Sequence, residues 1–126
     1  MRRLFVTLGD GAEMLAWDID AGEVVSLDGA WSGVTGGEEV LARPAPGLDF
    51  DVAAGQLVAW AGGAPIALDE GSRSWVPRSA AGAPSEQNGN GTYGRFRKAL
   101  RSNVFSLVNS AEDDVLVYKH TAGCGS

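Results

Sequence analysis

The sequence predicts an all-β chain. Three observations carry that reading: short apolar runs, turn-forming residues between them, and a strand pattern that recurs along the chain. Gly supplies 18 of the 126 residues, about twice the ordinary share. Together with Asp, Asn and Ser it punctuates the apolar runs as tight turns punctuate antiparallel strands. The expected strands are Leu4–Leu8, Met14–Ile19, Val24–Leu27, Leu48–Val52, Leu57–Trp60, Ile66–Leu68, Trp75–Val76, Tyr93–Arg97, Val104–Val108 and Val115–His120. The first breaks at Gly9-Asp10-Gly11. Gly94–Arg101 carries the Lys, Arg, Ala and Leu of a helix, but a helix there is short and isolated, so strand is preferred.

The strands repeat. Leu4-Phe5-Val6-Thr7-Leu8-Gly9-Asp10 aligns with Leu57-Val58-Ala59-Trp60-Ala61-Gly62-Gly63 and with Val104-Phe105-Ser106-Leu107-Val108-Asn109-Ser110. Each is an apolar strand closed by small or turn-forming residues. A second run follows in every copy, ending in Trp17-Asp18, Leu68-Asp69 or Tyr118-Lys119. A further strand follows the first two copies, and one more precedes the second and third. The turn after that preceding strand holds Gly55 in one copy and Asn103 in the other, residue types that tolerate the positive φ of a tight hairpin. The unit is a four-stranded antiparallel meander of about 45 residues, the period of a β-propeller blade. A single domain, 1–126, holds a partial unit at 4–27, a full one at 48–76 and a partial one at 93–120.

The second unit carries Gly62-Gly63 in the double-glycine position and Trp75 seven residues after Leu68. The third carries Tyr93-Gly94-Arg95-Phe96-Arg97 and Asn103-Val104-Phe105-Ser106-Leu107-Val108-Asn109. In these features the chain resembles the kelch and galactose-oxidase-like propellers. The resemblance covers residues 4–120 and departs from the kelch pattern at Leu68, where Tyr is usual, and in a shortened loop after the glycines. It implies blades packed face to face in a ring.

Two and a half blades leave that ring incomplete in one chain, because closed propellers typically use four to eight. The first unit lacks its leading strand and the third its final one. Unpaired edges and two apolar faces would then need cover. Assembly with other copies of the chain is the leading answer. A fragment of a longer propeller and a small closed barrel or sandwich are the alternatives.

Composition narrows the function classes. Sixteen acidic against ten basic side chains give a net charge of −6, which argues against nucleic-acid or anionic-membrane partners. No run approaches a membrane span, and the apolar start is too short for an export signal, so the default compartment is the cytoplasm. One His (His120) and one Cys (Cys124) leave no zinc spacing, no internal disulfide and no copper set of Tyr and His. No metal and no cofactor is expected.

Candidate site residues concentrate in the long polar connection 79–93. Gln87, Asn88 and Asn90 offer the paired donors and acceptors that suit sugar hydroxyls, and Tyr93 a ring for stacking. Long loops on a rigid scaffold commonly carry function, although Asn-Gly-Asn-Gly also reads as a flexible connector. Arg95, with Arg97, Lys98 and Arg101, forms a basic cluster; on a strand Arg95 and Arg97 share a face. Trp31, within Gly29-Ala30-Trp31-Ser32-Gly33, is the candidate exposed ring, whereas Trp17, Trp60 and Trp75 are expected between blades. Asp18/Asp20 and Asp49/Asp51 are spaced to share a strand face, but Asp beside a turn more simply caps it. The sequence thus points to a non-enzymatic binding or interaction module, self-associating, with a carbohydrate or protein ligand. The alternative is a carboxylate-based carbohydrate-active enzyme or a fragment of one.

Overall fold

A computed structural model describes residues 4–8, 14–25 and 33–123. Ten strands form three antiparallel sheets, each a meander in sequence order. The first sheet is β1 (Leu4–Leu8), β2 (Met14–Asp18) and β3 (Glu23–Val25). The central sheet has four strands: β4 (Gly47–Asp51), β5 (Gln56–Trp60), β6 (Ile66–Asp69) and β7 (Ser74–Pro77). The third is β8 (Phe96–Ala99), β9 (Val104–Leu107) and β10 (Leu116–Tyr118). The all-β expectation holds. The described strands lie in three separate sheets that close no ring and no barrel.

One turn design builds four of the hairpins. Asp18 pairs with Glu23, Asp51 with Gln56, Asp69 with Ser74 and Ala99 with Val104, enclosing loops 19–22, 52–55, 70–73 and 100–103. The last loop residue is left-handed each time: Gly22 (φ 71°), Gly55 (68°), Arg73 (52°) and Asn103 (50°). Three of the turns begin on Asp, whose carboxylate accepts the loop's inward-facing donors. Asp18 Oδ1 accepts from the Asp20 and Ala21 amides at 3.0 Å each. Asp51 Oδ1 accepts from Ala53 at 2.9 Å and Ala54 at 3.4 Å, and Asp69 Oδ1 from Gly71 at 2.9 Å. Capping outweighs acid–base use for Asp18 and Asp51, because these bonds fix the carboxylates to their own backbone.

Both faces of the central sheet are largely buried, although Phe50 of β4 stays 44% exposed. One carries Leu57, Ala59, Ile66, Leu68 and Trp75, against which Val6 and Met14 of the first sheet pack. The other carries Val58, Trp60 and Ala67, packed against Phe96, Phe105 and Leu107 of the third. Phe96 and Phe105 stack at 4.8 Å between centroids. The two sheets come so close at Gly47 that a β-carbon there would lie 2.5 Å from the Phe96 β-carbon.

The structure departs from the sequence expectation in three places. A single helical turn, α1 (Glu38–Leu41), buries Val40 and Leu41 at the edge of the first core; one turn is too short to show helical periodicity. Tyr93–Arg95 is a 3-10 turn, and the strand there begins only at Phe96. Two amides, of Thr92 and Tyr93, both donate to the Ala45 carbonyl (2.8 and 3.0 Å), and Tyr93 is left-handed at φ 49°. That tertiary anchor overrides the strand preference of an aromatic residue. Finally, β10 ends at Tyr118 rather than at His120, because the His120 ring turns back to bond Gln56. Residues 26 and 27 of the third expected strand lie outside the described residues.

Candidate functional site

The structure brings Gln87, Asn88, Asn90, Tyr93 and Arg95 into one segment laid over Pro44, Ala45 and Asn109. Their polar groups mainly serve the segment itself. Gln87 Nε2 donates to the Pro44 carbonyl at 2.8 Å, and its Oε1 accepts from the Thr92 hydroxyl at 2.7 Å. The Asn88 amide donates to Asn109 Oδ1 at 2.9 Å, while Asn88 Oδ1 accepts from the Asn90 amide at 3.0 Å. The Arg95 guanidinium bonds the carbonyls of Gly91, Thr92 and Asn109. It therefore clamps the 3-10 turn, and does not share a strand face with Arg97, which stands exposed on β8. Tyr93 remains 65% exposed. Trp31 lies outside the described residues.

A buried ionic cluster joins the central and third sheets. Lys98 Nζ lies 2.8 Å from Asp51 Oδ1, with the two side chains 3% and 0% exposed. The same ammonium donates to Asn103 Oδ1 at 2.6 Å and sits 4.9 Å from the Phe105 ring centre. Burial by itself raises the Asp51 carboxyl, but Lys98 and the amides of Ala53 and Ala54 reverse this and hold it below its usual value. Beside the cluster, His120 Nε2 donates to Gln56 Oε1 at 2.9 Å, and the Tyr118 hydroxyl donates to Nδ1 at 3.1 Å. Burial lowers the His120 pKa, helped by Arg78 and Lys98 and opposed by Asp51. Burial also raises the Tyr118 hydroxyl. The ammonium faces Asp51, Asn103 and the Phe105 ring, and so ties β4 to β8 and to the 100–103 turn. Among the described residues no group of three or more His, Cys, Asp or Glu could hold a metal ion, and no helix is long and apolar enough to cross a membrane.

Two open surfaces stand out among the described residues. A groove of about 280 Å³ runs between β10 and the connection 79–84, with Trp60, Phe96 and Leu107 in its lining. The other is the outer face of the first sheet. There Phe5, Trp17 and Val24 stand side by side across three strands, 61, 43 and 66% exposed, with Leu15 beside them. Solvated faces of antiparallel sheets normally alternate to polar residues, and this row departs from that pattern.

Sequence reasoning placed Trp17 between blades but did not find this row. Its alignment set Phe5 against Val58. In the structure Val6 pairs with Ala16, as Val58 pairs with Ala67. Phe5 is therefore the counterpart of Leu57, one residue away, and a one-residue slip exchanges the two faces. The signal that fixes the register is the Asp-led turn, since Asp18 and Asp69 both end the strand before a four-residue loop.

No family model, no curated protein and no solved structure matches the chain.

Proposed function

We propose that the chain is a non-enzymatic interaction module of β-propeller type that associates with other copies of itself. Its three sheets act as blades of the kelch and galactose-oxidase-like kind, two of them short of a strand. The observation that carries the reading is the Phe5–Trp17–Val24 row, left in solvent on a sheet whose neighbour largely buries both of its own faces. Burying such a row gains about 25 cal/mol per Å² of apolar surface removed from water, a term that favours association against its entropic cost.

Sedimentation of the purified chain at micromolar concentration tests this. A mass above that of one chain is expected, and a well-folded monomer overturns the reading. The exposed Tyr93 beside Asn90 favours a carbohydrate as additional ligand, checked by saturable binding on a glycan array. Turnover of glycosides by the wild type, abolished in an Asp18→Asn or Asp51→Asn variant that circular dichroism shows to be folded, would instead establish a hydrolase.

A further inference from the structure

We infer that the copies join head to tail, the outer face of the first sheet of one chain packing on the outer face of the third sheet of the next. This rests on the self-association proposed above and names the surface each face meets.

The strand registers give every sheet a front and a back. The front row is Phe5, Trp17 and Val24 in the first sheet. Its counterparts are Leu57, Leu68 and Trp75 in the central sheet and Phe105 and Tyr118 in the third. The back row is Val6 and Ala16, then Val58 and Ala67, then Arg97, Ser106 and Val117, with the Arg97 guanidinium exposed at the β8 end. Within the chain, fronts meet backs at both junctions. The central front packs with Val6 of the first sheet's back, and the third front with Val58 and Ala67 of the central back. Two rows are left over: the front of the first sheet, and the back of the third, where Val117 is 66% exposed. They are the complementary halves of a junction the chain already makes twice.

A front-to-back contact is heterologous, so it propagates until the ring closes. Two copies bring six sheets, inside the usual range of four to eight, whereas three bring nine. The occupant of each open face is therefore a second copy, in a closed dimer.

Two single variants at exposed positions test this by sedimentation: Trp17→Glu on the front and Val117→Lys on the back, with circular dichroism as the check on folding. Each alone should sediment at the mass of one chain, because both of its contacts then set a charge where the junction packs an apolar side chain. Mixed in equal amounts, they should recover twice that mass, since one contact is then native and the other sets acid against base. Val24→Glu replaces Trp17→Glu if the latter fails to fold. Two results overturn the inference: Val117→Lys alone keeping the wild-type mass, which means that like faces meet, or the mixture staying monomeric while the wild type associates. A monomeric wild type removes the self-association reading itself, and this inference with it.

Discussion

Lys98 shows how one side chain can hold two sheets together. It is the cation of a buried pair, and removing one partner strands the other charge in a dry setting. Lys98→Met should cost about 3–5 kcal/mol. Adding Asp51→Asn should return part of that loss, and denaturant unfolding of both variants measures it. The same neighbourhood sets a pH dependence. His120 titrates below its usual 6.5 when folded, so on acidification the unfolded chain takes up the proton first. Stability should fall as the pH drops through about 6.5 towards the folded value. His120→Gln should remove that step. Asp51 is held below 3.8, so its contribution persists above that value and is lost only as the pH falls through the lower, folded one. Denaturant midpoints followed from about pH 8 down to well below 3.8 separate the two steps.

At the level of elements, the repeated hairpin is the unit of construction. Gly55 occupies a left-handed position with open space where a β-carbon would go. Gly55→Ala should therefore cost about 1 kcal/mol, from backbone conformation alone, read as a lowered midpoint with unchanged m. These hairpins were legible because Asp and Gly announce their own geometry. Arg73 fills the same left-handed place without any such announcement. Other elements were illegible for tertiary reasons. The turn at Tyr93 is imposed by the Ala45 carbonyl, far away in sequence, and α1 exists because the core has room for Val40 and Leu41. The polar segment 87–95 was found as a segment, but residue types did not reveal that Gln87 and Arg95 mainly bind their own chain.

For the whole molecule, the strand count was readable and the direction of each face was not. Composition cannot distinguish two registers one residue apart, yet they differ in which row stays in water. If the open rows are covered by a second copy, folding and association are linked. The apparent Tm should then rise with protein concentration, whereas that of Trp17→Glu should not. Calorimetry or fluorescence melts over a hundredfold concentration range, a span chosen to move the association term by about 2.7 kcal/mol, make that comparison.

Every β-pairing described above joins strands adjacent in sequence. That has a kinetic consequence. Chains rich in local contacts close short loops and cross low barriers. The hairpins of each meander can therefore pair early, while the cores between sheets wait for the neighbouring meander. If the copies associate as proposed, the slow event belongs to the encounter between chains, and dilution should delay maturation without delaying the appearance of β structure.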